Sequence, residues 1–152
     1  VGAVHISQSL VSMARTLDID VTLVDPRTAY ASEERFPGTK FLTDWPDEAL
    51  ETIGINSSTA IVTLSHDPKL DDPALEIAIR SKAFYIAALG SRKTHADRVG
   101  RLKDKGFTDA EIARIHGPAG IDIGGLEPAE IALSILAELV AIRRAENIRG
   151  IA

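Results

Sequence analysis

The residues that follow one short apolar run carry the clearest chemical signal in this chain. The run from Ala83 to Leu89 is uncharged and rich in strand-forming residues, which predicts a parallel strand covered by helices on both faces. Gly90, Ser91, Arg92 and Lys93 follow it and supply a flexible turn, a hydroxyl group and two positive charges where the next helix begins. This pattern predicts an anion-binding loop. The alternative is an ordinary strand-to-helix turn with surface cations.

A second polar group follows the apolar segment Thr59 to Leu64. Ser65 and His66 stand at the expected carboxyl end of that strand, where open α/β sheets place their ligands. A histidine at such a position can donate or accept a hydrogen bond near neutral pH. We therefore predict that Ser65 and His66 face a ligand, the alternative for His66 being a loop histidine bonded to nearby backbone.

The start of the chain has the order of a dinucleotide-type βαβ unit. Val1 and Gly2 are typical of a strand end and a glycine turn, and they are followed by a predicted helix from Ser7 to Leu17 and a strand from Val21 to Val24. Most of a first strand would then be missing. The fingerprint G-x-G-x-x-G is present only as G-A-V-H-I-S, with Val4 where the second glycine would stand. This motif is weak by itself.

An acid and a base lie at the end of the second predicted strand. Asp25 follows Gly2 by 23 residues, close to the spacing at which an acid hydrogen-bonds a ribose. Arg27 could instead meet a phosphate. A capped Asp-Pro turn that leaves the sheet is the equally weighted alternative.

Composition limits the classes of function. The chain has 152 residues, 45% of them hydrophobic, and no cysteine, which indicates one compact domain without thiolate nucleophiles or ligands. A net charge of -5 argues against general electrostatic binding of nucleic acid.

The apolar segment Ile131 to Ile142 is interrupted by Glu138 and is too short to cross a membrane. Without a recognisable leader or lipid anchor, we expect a cytoplasmic protein.

Several helix ends have local signals. They are Asp44 or Asp47 as the cap of a helix that runs through Ile53 and ends at Gly54, Asp71 with Asp72 and Pro73 at the start of the next, and a capping box from Thr108 to Glu111.

The last third of the chain combines a glycine-rich stretch, His116 to Gly125, with a long helix that begins at Glu127 and Pro128. The glycines serve either a ligand or the close packing of a last strand. Apolar residues spread around more than one face of the final helix. We expect a missing N-terminal part, a second copy in a homodimer or a partner protein to cover its second face.

Together these elements predict one α/β domain over residues 1 to 152. We expect a Rossmann-like, doubly wound, mostly parallel sheet with helices on both faces.

Five ordered motifs carry a resemblance to a known family. They are the GAxH turn at the start, VDPR, S-H-D after TAIVTL, GSRKTH, and the long segment HGPAGIDIGGxEPAEIALSILAE. In this combination the chain resembles the C-terminal Rossmann-like domain of the XdhC/CoxI family, over nearly its whole length. The family usually has GAGH at the first turn, an N-terminal domain and cysteines proposed to contact the cofactor, and we expect this chain to lack these features.

The resemblance implies a function. Members resemble xanthine dehydrogenase accessory factors, which are cytoplasmic, bind the molybdenum cofactor, assist its sulfuration together with a cysteine desulfurase and deliver it to a molybdenum hydroxylase. We therefore expect a cofactor-binding insertion factor, with no residue assigned to a catalytic step and none to a metal. The ligand would be molybdopterin or its nucleotide form.

The resemblance also suggests a site. The cofactor-binding residues that we predict are Gly90, Ser91, Arg92 and Lys93 on the phosphate, Gly2 and His5 at the first turn, Ser65 and His66 across the crevice, and Asp25 and Arg27 toward a nucleotide, with His116, Asp122 and Glu127 as second-rank candidates.

Two other classes of function remain as alternatives. The βαβ opening and Asp25 are compatible with an NAD(P)-dependent oxidoreductase domain, although no substrate domain with an acid or base is visible. The apolar final helix is compatible with a protein-interaction module whose crevice is empty.

Overall fold

The computed structural model describes residues 1 to 151, with side chains described through residue 147. Helices and strands alternate along most of this length. In chain order the elements are α1 (His5–Thr16), β1 (Thr22–Val24), β2 (Lys40–Leu42), α2 (Pro46–Ile53), β3 (Ala60–Thr63), α3 (Pro68–Ile79), β4 (Tyr85–Ala88), α4 (Arg92–Asp104), α5 (Asp109–Ile112), β5 (Ile115–His116) and α6 (Pro128–Ile151).

All strand pairs that the structure describes are parallel. β1 pairs with β2, and β3, β4 and β5 form a second sheet in that order. Val1 and Gly2 join the two sheets. The Val1 amino group donates to Val62 O at 2.7 Å, Leu64 N donates to Val1 O at 2.8 Å, and Gly2 N donates to Val24 O at 2.9 Å. The order β2, β1, Val1–Gly2, β3, β4, β5 is typical of dinucleotide-binding folds and confirms the predicted Rossmann-like class.

Helices cover both faces of the sheet, as predicted. Side chains alternate along β4, so that Tyr85, Ala87 and Leu89 join the core beneath α1 and α6. Ile86 and Ala88 join the core on the opposite face, beneath α2, α3, α4 and α5. Because β4 is buried on both faces, its sequence is an uninterrupted apolar run.

Part of the second face of α6 is covered from within the chain. Ile6 and Leu10 of α1 pack into the same cluster as Ile135 and Leu139 of α6. That a missing N-terminal part, a second copy or a partner protein covers the rest stays a prediction. Leu133 remains 53% exposed. Among the residues that the structure describes, no helix combines the length and the hydrophobicity of a membrane span.

Two helix starts differ from the prediction. Neither Asp44 nor Asp47 caps α2, because Trp45 stands at the N-cap position without a side-chain bond and Pro46 sets the first turn. α3 begins at Pro68, and its cap is Asp67, whose carboxylate accepts from Lys69 N at 3.0 Å.

Other local signals were correct. Gly54 ends α2 in a left-handed conformation. The capping box of α5 is present, because the Thr108 hydroxyl accepts from Glu111 N at 3.2 Å while the Glu111 carboxylate accepts from Thr108 N at 2.8 Å.

A cavity of about 620 Å³ forms a slot between β1 and β3. Each of these strands is paired on one side only. The facing stretches, Val21 to Val24 and Thr59 to Val62, line the slot together with residues from α1 and α6. Val1 and Gly2 close its upper end, so this space lies inside the sheet layer, below the carboxyl ends of the strands.

Candidate functional site

The loop after β4 is the candidate anion site. Gly90 has a φ of 143°, and a Cβ there would lie 2.9 Å from the Thr94 side chain, so glycine is required. Ser91 caps α4, because its Oγ accepts from Thr94 N at 3.1 Å. Arg92 and Lys93 are exposed at the first turn of this helix.

The backbone amides of this loop are available to a ligand. Within the described residues, no group accepts from the N–H of Gly90, Ser91, Arg92 or Lys93. Consecutive free amides at the positive end of a helix favour an anion, and here two exposed cations stand beside them. The loop can therefore hold a phosphate-sized group without displacing an internal bond.

In the turn from Gly2 to Val4, by comparison, the backbone amides are already hydrogen-bonded within the protein. Gly2 N, Ala3 N and Val4 N donate to Val24 O, to the Asp25 carboxylate and to Ser7 Oγ. These are the amides that approach a pyrophosphate in a complete glycine fingerprint. Because they are already bonded, this turn offers less to a phosphate than the Gly90 loop does. His5 is exposed at the start of α1.

Gly2 brings the first turn against the end of β3. Its φ is 103°, and a Cβ there would lie 2.8 Å from Ser65 N. Ser65 is buried, and its Oγ donates to Asp71 at 2.5 Å and accepts from Asp67 N at 3.1 Å. The Ser65 hydroxyl is thus used within the fold, while its neighbour faces outward.

His66 is exposed and has a φ of 62°. This left-handed conformation is uncommon for a side-chain-bearing residue and is found more often where a site demands it. His66 is thus exposed directly after the end of β3, and its contact with a ligand stays a prediction.

Asp25 is fully buried and its carboxylate is engaged. Its two oxygens accept from Ala3 N, Arg27 N, Arg27 Nε and Arg27 Nη2 at 2.8 to 2.9 Å. Burial alone would raise the pKa of Asp25, but the bonds from Arg27 and Ala3 outweigh it and lower the pKa. A ribose contact would have to displace Arg27.

The three second-rank residues do not gather at the Gly90 loop. The His116 ring lies over Tyr85 on the sheet face that α6 covers, 5.2 Å between ring centroids, and its Nδ1 is 3.8 Å from the Glu138 carboxylate. The Asp122 carboxylate accepts from Gly124 N in a turn. Glu127 N donates to Glu130, which also accepts from Leu126 N at the start of α6.

Three buried or half-buried residues beneath the crevice were missed from the sequence. Arg98 donates to Leu89 O, the carbonyl before Gly90, and contacts His95. Asp71 accepts from Ser65 at the end of β3, where burial raises its pKa against the opposing effect of the Ser65 bond. His95 is the last residue of the GSRKTH motif, and its place in that motif is the sequence signal that could have identified it.

Comparisons with known proteins agree with this architecture. The chain is 37% identical over 89 residues to the molybdenum cofactor insertion chaperone PaoD of Escherichia coli, covering 59% of this chain and 28% of that protein. It is 27% identical over 136 residues to a protein of Bacillus subtilis named as a probable xanthine dehydrogenase component, covering 89% of this chain and 39% of that protein. The chain therefore spans well under half of these relatives.

A solved structure shares the fold. A crystal structure of a protein named as a xanthine dehydrogenase from Bacillus halodurans superposes with a TM-score of 0.81 at 24% identity, over 95% of this chain and 41% of that one. The model of the XdhC Rossmann domain family matches residues 1 to 139. This chain belongs to the XdhC Rossmann domain family.

Proposed function

We propose that this domain holds the molybdenum cofactor in the crevice at the carboxyl ends of its strands, as part of the maturation of a molybdenum hydroxylase such as xanthine dehydrogenase. The observation that carries the proposal is the run of unbonded amides from Gly90 to Lys93 beside two exposed cations, in a chain of this family. The name of the relative PaoD supports the same ligand.

The chemistry of the ligand suits this loop. Molybdopterin is a pterin that bears a phosphate, and in its nucleotide form it carries a second phosphate and a ribose. The loop amides, Arg92 and Lys93 would bind the phosphate, with His5 and His66 toward the polar edge of the pterin. Asp25 would contact the ligand only if a nucleotide displaced Arg27 from its carboxylate.

The proposed role is binding and delivery, with no catalytic residue. The partners would be the hydroxylase that receives the cofactor and a cysteine desulfurase that supplies sulfur, in the cytoplasm. Since the chain spans less than half of these relatives, their complete activity is proposed for the longer proteins, to which a domain of this kind would contribute the crevice.

Calorimetric titration tests the loop. Purified wild-type protein, Arg92→Ala and the matched control Lys103→Ala are titrated anaerobically with molybdenum cofactor, NAD(H), NADP(H) and simple nucleotides. Lys103 is an exposed cation on the same helix, paired with Asp109 far from the loop. Loss of a charge-assisted bond should weaken cofactor binding by about 1.5 to 3 kcal/mol in Arg92→Ala and leave the control unchanged.

The other possible results of the titration would favour one of the alternative functions or overturn the assignment of the loop. Preferred binding of NAD(H) or NADP(H) would favour the oxidoreductase alternative. Binding of no ligand would favour an interaction module. Equal affinity of Arg92→Ala and wild-type protein for the cofactor would overturn the assignment of the loop.

A further inference from the structure

His95 lies between the ends of β4 and β5. It is one helical turn after Ser91, and its N–H donates to Ser91 O at 2.9 Å. Its ring packs directly on the backbone of Gly117, where any Cβ would overlap Nδ1 and Cε1. Glycine at position 117 therefore lets the imidazole stand at the wall of the crevice.

Arg98 fixes which ring nitrogen of His95 carries the proton. Arg98 is 3% exposed; its Nη2 donates to Leu89 O at 3.0 Å and its Nη1 is 3.3 Å from His95 Nδ1. Because a guanidinium can only donate, Nδ1 must accept. The imidazole is then neutral, with its hydrogen on Nε2.

The electrostatic surroundings keep His95 neutral. Burial and the adjacent Arg98 charge both lower the pKa of His95 from its ordinary value. Burial lowers the pKa of Arg98 from its ordinary value, and Asp71 and Asp72 of α3 oppose that shift. Because an arginine side chain in a protein keeps its proton, the donor that faces His95 remains charged.

The second ring nitrogen of His95 is open. Among the described residues, no group accepts from Nε2, and Nε2 is not among the enclosed side-chain atoms that lack a partner. It therefore reaches solvent on the side of the ring away from Arg98. His95 belongs to the first turn of α4, the helix that Ser91 of the Gly90 loop caps.

We propose that His95 is a ligand-contacting residue, whose Nε2–H donates to an oxygen acceptor of the anion bound by the Gly90 loop, and that Arg98 is the positioning residue that sets its tautomer. This inference rests on the proposed function of the crevice. It adds a neutral directional donor beside the exposed cations Arg92 and Lys93, and such a donor selects for a ligand with an oxygen at one place.

Two substitutions distinguish the donor Nε2 of His95 from the acceptor Nδ1, which contacts Arg98. Asparagine places an amide oxygen near the position of Nδ1 but nothing at Nε2, whereas alanine removes both. His95→Asn, His95→Ala and the control Lys103→Ala are titrated with molybdenum cofactor and with inorganic pyrophosphate, and their melting temperatures are recorded. We expect both His95 variants to bind about tenfold more weakly, with His95→Asn melting close to wild type.

Nitrogen NMR of the protein with labelled histidine gives an independent readout. We expect Nδ1 of His95 to have the chemical shift of an unprotonated nitrogen and Nε2 that of a protonated one, with Nε2 moving when ligand is added. The opposite tautomer, or a His95→Asn variant that binds like wild type, would overturn the inference. If Arg92→Ala weakens binding while both His95 variants bind normally, this inference alone fails. If wild-type protein binds neither probe, the proposed function fails with it.

Discussion

Asp25 and Arg27 form a two-point ion pair at the end of β1, with Arg27 Nε 2.9 Å from Asp25 Oδ1 and Arg27 Nη2 2.8 Å from Oδ2. The same carboxylate accepts from Ala3 N. The pair thus ties the tip of β1 to the turn before α1. Asp25 has the sequence spacing of an acid that binds a ribose, but in this structure its carboxylate holds the turn before α1 in place.

Replacing Asp25 by asparagine should destabilise the domain. The substitution leaves Arg27 and Ala3 N without their anion in a buried setting, and breaking a buried charge pair on one side costs about 3 kcal/mol. Denaturation by urea measures the loss of unfolding free energy. Asp20→Asn is the control, because Asp20 is exposed and one strand length away. A loss no greater than in the control would show that the ion pair contributes little.

The contribution of Asp25 should depend on pH. Its pKa is lowered in the folded protein from an ordinary value of 3.8. The stabilisation is therefore complete well above pH 3.8 and is lost as the pH falls through the lower, folded pKa. The difference in unfolding free energy between wild type and Asp25→Asn should shrink in urea titrations carried from pH 7 toward pH 2. Asp71 is present in both proteins, so its titration cancels, and a difference that stays constant would contradict the assignment.

Gly2→Ala should destabilise the domain more than Gly54→Ala. Both glycines have positive φ, at 103° and 75°, so alanine is strained at either position. Only at Gly2 does the added Cβ also meet backbone, 2.8 Å from Ser65 N, whereas nothing lies within 4 Å at Gly54. We expect about 1 kcal/mol for Gly54→Ala and at least about 2 kcal/mol for Gly2→Ala. Equal losses in chemical denaturation would mean that the turn moves away from β3 without cost.

Local signals in the sequence predicted most of the fold. The helix end at Gly54 and the capping box at Thr108 depend on a few neighbouring residues, and both are correct. The start of α3 was wrong because Asp71 and Asp72 were interpreted as acids of a first turn. The Asp67–Pro68 pair had already supplied the cap and the first helical residue.

The internal bonds of the site could not be predicted in the same way. Asp72 lies inside α3 and pairs with Arg101, and Asp71 bonds to Ser65, so both partners come from other elements. His95 depends on a glycine 22 positions later, at Gly117. Such contacts follow from the packing of strand ends, which a single sequence does not specify. The positions of Arg92 and Lys93 at the start of α4 could be predicted, because these residues directly follow an apolar strand pattern and a glycine turn.

Filling the slot between β1 and β3 should stabilise the domain. The Val1 amino group is buried there, and burial lowers its pKa. An extension of four residues, Val-Ile-Val-Val, placed before Val1 would move that charge to the far end of the slot and could pair with both unpaired strand edges. We expect the melting temperature to rise by several degrees, as for a gain of about 1 kcal/mol or more. A Gly-Ser extension of equal length is the control, and equal melting temperatures would show that the slot does not accept a strand.

Gly117→Ala should disturb ligand binding through His95. The φ of Gly117 is not positive, so the cost of the added methyl is its overlap with the His95 ring. We expect lower stability and an affinity for molybdenum cofactor reduced to the level of His95→Ala. In the double variant, removing the ring removes the overlap, so stability should recover to that of His95→Ala while affinity falls no further. This non-additivity is the signature of two residues that act through one contact. Gly100→Ala, on an open face of α4, serves as the control. Additive losses in the double variant would place the effect of Gly117 elsewhere.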